Sequence, residues 1–450
     1  YTEAVLDHAM TETCPGHATV LTGRHPAHAG IPGNRFLDPE EGTSVYCVAD
    51  SAATARVLGG EKGRSPRNLR VSTLGEWMKS ADTASRVFSV SGKDRAAITL
   101  AGHSPDVAYW FHPVEEVGFT TSGYYLDRLP GWVRAFNGHD PPEDGFLSPV
   151  PRSWDHIADA GGPPGRPDDF SGESDQFGRT SGHPLRDEDL EAFAARLVAS
   201  PFLDEVSLDF ATALVREEGL GRGSSPDLLA ISFSAMDYVG HLYGPYSHES
   251  RDALRRLDLA MGRFLDFLER ELGPGAVLVV LTSDHGVLPL PEWLERMGGS
   301  RCPVKGGRVG VRRLGLRLMA KLHWEFSPFF SFPREWVTFA GFQLRVDRSL
   351  ASRYGVAVED VIAATRRILE AEPAIAKVWT AAQIETGEDE FARLYRNSFD
   401  PERSGDLVVQ IAPTCLISPF DEGTTHGTPY LYDRAIPLIF WGAGIEGGRV

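Results

Sequence analysis

Three apolar runs carry no polar alternation and are short for helices: LLAISFSAMD (228–237), AVLVVLTSD (276–284) and AIPLIFWGAG (435–444). That pattern suits strands buried on both faces of a parallel sheet. Between the first two lies SHESRDALRRLDLAMGRFLDFLERELGPG, in which Leu254, Leu257, Met261, Phe264 and Leu268 share one helical face. Ser247 stands where a cap belongs, and Gly273-Pro274-Gly275 where the helix must stop. Strand, helix, strand predicts a βαβ unit with a right-handed crossover. The expected fold is therefore α/β, a mostly parallel central sheet sandwiched by helices.

Two segments interrupt this rhythm. Residues 96–185 are rich in Gly, Pro, aromatic and acidic residues (GWVRAFNGHDPPEDGF, GGPPGRPDDFSGESDQFG), which reads as a loop-rich cap insertion. Residues 290–400 read as a second cap, leaving core segments at 1–95, 186–289 and 401–450. The Arg/Lys cluster at 301–321 reads first as a solvated face, and Trp110, Tyr124, Tyr125 and Trp324 as cap core.

Length and charge narrow the function. At 450 residues the chain holds one large domain with insertions, or two domains. Asp+Glu 62 against Lys+Arg 45 gives a formal charge of -17, which disfavours binding to a nucleic-acid duplex. No run approaches the roughly 18–20 apolar residues of a membrane-spanning helix. Cys14, Cys47, Cys302 and Cys415 have no metal-finger spacing, and their redox state stays open.

The chemistry collects at the ends of the apolar runs. MDYVGH brings Asp237 and His241 to the carboxyl end of the first strand, SDHG brings Asp284 and His285 to that of the second, and TTHG brings His426 just before the third. Ligands of open α/β sheets gather at this edge. Taken singly, each group reads as a cap or a turn. Together, two carboxylates and three imidazoles suit zinc, and two such ions form a clamp for in-line phosphoryl displacement. TETCPGHATVLTG (11–23) adds a hydroxyl: Pro15 belongs in a first helical turn, Thr13 or Cys14 at the cap, and Gly23 at the stop. A hydroxyl there lies in a field that favours anions.

In this order, Thr-x-x-Gly-His, D-x-x-G-H, S-D-H-G and T-H-G-x-P-Y followed by an apolar strand, the chain resembles the alkaline phosphatase superfamily over nearly its whole length. GIPGNRF and SGKDRAA make it most similar to the PafA-like phosphate-irrepressible alkaline phosphatases. The resemblance implies two Zn2+ ions, one held by Asp237, His241 and His426, the other by Asp284, His285 and the Thr13 oxygen. It implies Thr13 as nucleophile through a phosphothreonine, with Asn34, Lys93 and Arg95 on the nonbridging phosphate oxygens of a small monoester. It also implies export, to the periplasm or cell surface, and one more Asp ligand on an upstream strand. Asp7 lies too near the helix to be that residue, so the chain is expected to be a fragment lacking the first core strand. A phosphodiesterase or nucleotide pyrophosphatase of the same superfamily, and a catalytically silent metal-binding protein, are the alternatives. Oligomeric state is not legible.

Overall fold

The computed structural model describes residues 1, 3–113, 117–138, 145–147, 149–157, 165–327 and 334–448. Its main sheet holds β1 (Val87–Ser91), β2 (Val107–His112), β3 (Gly118–Thr120) and β4 (Leu228–Ser232) in the order β3-β2-β1-β4. β1 runs parallel to β2 and β4, in registers Phe88↔Val107 and Ser91↔Ser232, and β3 is antiparallel to β2. Alternate residues face opposite ways. Ala108 and Trp110 meet Cys14 and Ala18 of α1 (Thr13–Thr22) and Ala97 and Ile98 of α2 (Asp94–Ala101). On the other face Phe88, Val90, Tyr109 and Phe111 pack with Phe210 and Leu214 of α3 (Phe202–Glu218). The α/β reading holds, with a mixed sheet.

Several expectations are corrected. Residues 107–112 and 118–120, assigned to a cap, are strands of the main sheet, and the 95/96 boundary cuts through α2. VAYWFH is an aromatic, apolar run with five of its six residues buried; the Gly- and Pro-rich sequence around it hid the strand. Trp110 accordingly sits in the main core, whereas Trp324 is exposed. The run 228–237 is split: β4 stops at Ser232, and Asp237 and His241 lie one turn apart on α4 (Ala235–Tyr243). α5 (His248–Leu272) follows, capped by Ser247, whose hydroxyl accepts from Ser250 N, and ended at Gly273. Its buried stripe uses Ala253, Ala260, Phe267 and Leu268, leaving Leu254 exposed.

The βαβ expectation fails in its second half. β5 (Leu278–Thr282) does not pair with β4 among the described residues; it pairs antiparallel with the strand Leu438–Gly442. Leu278, Val280, Ile439 and Phe440 are exposed, not buried. A uniform apolar run carries no information about strand direction, and each of these two strands has one bonded neighbour among the described residues.

The 290–400 segment is a folded layer with its own sheet. β6 (Val337–Ala340), β7 (Gln343–Val346), β8 (Ile375–Thr380) and β9 (Leu407–Ile411) form an antiparallel sheet in the order β6-β7-β9-β8. Leu318 and Leu322 of α6 (Val311–Phe326) and Val361 and Ile368 of α7 (Val358–Glu370) share its core. β9 comes from the 401–450 segment, so that boundary also divides a single sheet. Arg312, Arg313 and Arg317 are exposed on α6, as a solvated face requires. Two disulfides are present, Cys14–Cys47 and Cys302–Cys415.

Candidate active site

The site forms around the amino end of α1. Thr13 is the first helical residue; the cap position belongs to Glu12, one residue earlier than expected, and Gly23 at φ 61° ends the helix. Glu12 makes no side-chain cap bond. Its carboxylate accepts instead from Asn34 N at 2.6 Å, and burial raises its pKa. The amide of Cys14 donates to Asn34 Oδ1 at 2.8 Å, and the Cys14–Cys47 bond fastens the same residue to the far side. An orphan helix amide is thus satisfied from another part of the chain. Gly16 allows α1 to approach Asp284, since a Cβ there would lie 2.5 Å from Asp284 O. His17 joins three elements: Nδ1 lies 2.9 Å from Thr13 O and 3.1 Å from Asp284 Oδ2, and Nε2 lies 2.8 Å from Ser232 Oγ.

Asp237 is the hub of the candidate ligand set. Its Oδ1 lies 3.4 Å from His241 Nε2, 3.4 Å from His426 Nε2 and 3.9 Å from His285 Nε2. Asp284 Oδ2 lies 3.3 Å from His285 Nε2. The rings of His285 and His426 are stacked with centroids 3.5 Å apart. In all three histidines Nδ1 meets a main-chain carbonyl: Thr424 O at 2.8 Å for His241, Gly286 O at 2.9 Å for His285 and Thr11 O at 2.6 Å for His426. A carbonyl only accepts, so Nδ1 carries a proton and a neutral ring presents its Nε2 lone pair; at His241 burial is outweighed by Asp237, which raises the pKa of that ring.

This donor set fits divalent metal. Among the described residues His285 Nε2 is buried without a hydrogen-bond partner, and ligand atoms of Asp237, His285 and His426 lie within 4.8 Å of one another. Burial, helped by the neighbouring His285, lowers the His426 pKa to about 4, so its ring is neutral at pH 7. Burial works against ionisation of Asp237, yet the Lys93 ammonium and His241 hold its carboxyl well below the usual range. Asp284 is likewise lowered, burial being outweighed by His285 and His17.

Of the three phosphate-contact candidates, two reach this centre directly. Lys93 is buried, ion-paired with Asp237 Oδ2, and its Nζ lies 4.3 Å over the Tyr238 ring. Arg95 Nη2 lies 3.4 Å from Thr13 Oγ1 and Nη1 lies 3.4 Å from Tyr46 OH. Tyr46 OH donates to Asp94 Oδ1 at 2.5 Å, and Arg64 pairs with the other oxygen of that carboxylate. Asn34 commits its Oδ1 to Cys14 N, which leaves its NH2 as the end that can donate to an anion. All nine candidates therefore belong to one neighbourhood. Sequence reasoning passed over His17, although the Thr-x-x-Gly-His spelling contains it, and gave no role to Glu12, Tyr46 or Tyr238.

The ligand-bearing helix is held from behind. Asp204 of α3 accepts from Ala235 N at 2.9 Å and Met236 N at 3.3 Å, capping α4 where its own Ser234 makes no side-chain cap bond. Burial raises the Asp204 pKa to about 7, above the unfolded value near 4. The stability linked to this group is therefore complete below about pH 4 and lost as pH rises to about 7. Thermal melts of the chelated protein should show stability falling across that window by on the order of 2–4 kcal/mol. Asp204→Asn should flatten the profile; an unchanged slope refutes the assignment.

The comparisons fall where this geometry points. The sequence matches the type I phosphodiesterase / nucleotide pyrophosphatase family over residues 1–428. The chain belongs to that family, within the alkaline phosphatase superfamily. It is 31% identical to alkaline phosphatase PhoV of Synechococcus elongatus, over 99% of this chain and 79% of the relative. It is 30% identical to alkaline phosphatase PafA of Elizabethkingia meningoseptica, over 99% and 80%. The crystal structure of wild-type PafA superposes with a TM-score of 0.89 at 29% identity, covering 99% of this chain and 84% of that one. Among these whole-chain relatives, the chain is an enzyme of the alkaline phosphatase kind.

Proposed function

We propose that the chain hydrolyses phosphate monoesters of small molecules through a phosphothreonine at Thr13, with two zinc ions as cofactors. Asp237, His241 and His426 would hold one ion, and Asp284, His285 and the Thr13 oxygen the other. When bound, such ions supply Lewis acidity that lowers the pKa of a hydroxyl or water and neutralises charge on a leaving oxygen. Thr13 gives up its hydroxyl proton to solvent as Oγ1 bonds to phosphorus and the ester P–O bond breaks, and the departing alkoxide takes up a proton from solvent. A water oxygen then attacks the phosphothreonine, releasing phosphate and returning the hydroxyl. Thr13 starts α1, so the helix field favours negative charge beside it.

The observation that carries the monoester reading is the convergence of two cationic side chains on the nucleophile and ligand set, Lys93 at Asp237 and Arg95 at Thr13. A monoester dianion has one more charged oxygen than a diester and gains more from them. The alkaline phosphatases PhoV and PafA among its relatives support the same reading. The family's phosphodiesterase members favour the second one. The test is hydrolysis of p-nitrophenyl phosphate against bis-p-nitrophenyl phosphate. Zinc-loaded wild type should prefer the monoester, and Lys93→Ala should lower kcat/KM for it by about 10²–10³-fold while affecting the diester far less. A preference for the diester that ignores Lys93 gives the site to the phosphodiesterase reading. Two disulfides support an oxidising, exported location.

A further inference from the structure

A second cluster of metal-ligand side chains lies apart from the residues just described. His183 Nε2 is 3.2 Å and His156 Nε2 is 3.5 Å from the same atom, Glu249 Oε1. Glu249 has no exposed surface, and His183 is almost fully buried. Among the described residues Glu249 pairs only with these imidazoles, and its Oε2 has no hydrogen-bond partner. His156 Nε2 also lacks one. The guanidinium groups of Arg166 and Arg256 are engaged elsewhere, Arg166 with Glu173 and Pro245 O and Arg256 with Asp252.

The proton inventory makes the cluster unusual. His183 Nδ1 faces Phe177 O at 3.2 Å, and the Tyr243 hydroxyl beside it donates to Gly178 O. A carbonyl only accepts, so the His183 proton sits on Nδ1 and the Nε2 lone pair points at a carboxylate. This is the arrangement found in His241, His285 and His426, with Nδ1 on a main-chain carbonyl and Nε2 aimed at an acid. Two lone pairs facing each other 3.2 Å apart in a buried site repel unless a second proton or a metal ion lies between them. Burial also lowers the pKa of His156, which favours the neutral, ligating form.

We infer that His156 Nε2, His183 Nε2 and Glu249 Oε1 form a zinc-class divalent metal site outside the catalytic centre. Zinc bonds to nitrogen and oxygen of about 2.0–2.2 Å place tetrahedral ligands roughly 3.4 Å apart, which matches the separations here. The outer triad of His156 Nδ1, Asp168 and His248 is the poorer candidate. Its separations are 3.9 and 3.8 Å, and Asp168 and His248 are more than a third exposed. Asp168 instead lies on the Nδ1 side of His156, where a carboxylate orients a ligating ring. The bound ion ties two parts of the 153–184 segment to Glu249 in the first turn of α5. His183 in turn touches Tyr243, the last residue of the helix that carries Asp237 and His241. The site is a structural staple behind the catalytic ligands, and it does not depend on the reaction proposed above.

The test uses the full chain equilibrated with Zn2+ and freed of excess metal. Diffraction data collected on either side of the zinc absorption edge should show an anomalous peak between His156, His183 and Glu249. Elemental analysis should show one zinc equivalent fewer in Glu249→Gln than in wild type, with Thr13-dependent phosphatase activity retained. His156→Ala, at a less buried position, gives the same comparison should Glu249→Gln not fold. Absence of the peak, or equal zinc content in wild type and variant, overturns the proposal.

Discussion

Thr13→Ala is expected to abolish monoester hydrolysis while leaving the protein folded. Removal of a nucleophile acting with a catalytic group costs roughly 10⁴–10⁶-fold in kcat. The substitution removes little else. Among the described residues the one hydrogen bond of the Thr13 side chain is the 3.4 Å approach of Arg95, and the helix amide bonded to Asn34 and the disulfide both belong to Cys14. The Thr13 carbonyl facing His17 is main chain and remains. Circular dichroism and the melting temperature should match wild type as kcat/KM on p-nitrophenyl phosphate collapses, and Thr13→Ser should restore much of the rate. Activity within tenfold of wild type in the alanine variant would show that another group forms the new bond to phosphorus.

Asp237→Asn should be nearly as damaging, through two separable effects. Asp237 is the common partner of Lys93, His241, His426 and His285, so its neutral isostere weakens the metal-ligand set and leaves a buried ammonium without its anion. Breaking a buried ion pair from one side costs about 3–5 kcal/mol. Urea denaturation of the chelated variant should show a loss of that size, and turnover should fall by about 10³-fold or more. Adding Lys93→Met should recover much of the stability, because no charge is then stranded, but none of the turnover. A double variant as unstable as the single one would place the lost stability in contacts other than this pair.

The candidate ligands stood out in the sequence because each part is local. Asp237 and His241 lie one turn apart, Asp284 and His285 are adjacent, and an apolar run tells where each group emerges. The groups that hold the ligands were not legible, because their contacts span long stretches of chain. Asp204 caps a helix 31 residues away, and His17 meets Ser232 across 215. The same is true of the second cluster, where His183 meets Glu249 across 66 residues. Strand direction was lost for a different reason: 276–284 and 435–444 read alike whether paired parallel or antiparallel, since the apolar pattern records burial and not orientation. The strand at 107–112 was hidden by its Gly- and Pro-rich neighbourhood.

The anchoring of His241, His285 and His426 through Nδ1 to main-chain carbonyls has a consequence for how the site tolerates sequence drift. A carboxylate that fixes a ligand's tautomer is lost with a single substitution, but a carbonyl is present in every residue. Positions 11 and 424 can therefore exchange side chains, at the local cost of the Thr11 and Thr424 hydroxyl bonds, without turning the imidazoles above them. Position 286 has no such freedom, because a Cβ there would stand 2.3 Å from Tyr432 O and force the loop that supplies the His285 acceptor to shift. Mutational tolerance around this centre should follow backbone conformation rather than side-chain chemistry, with a glycine, not an acid, as its least replaceable supporting residue.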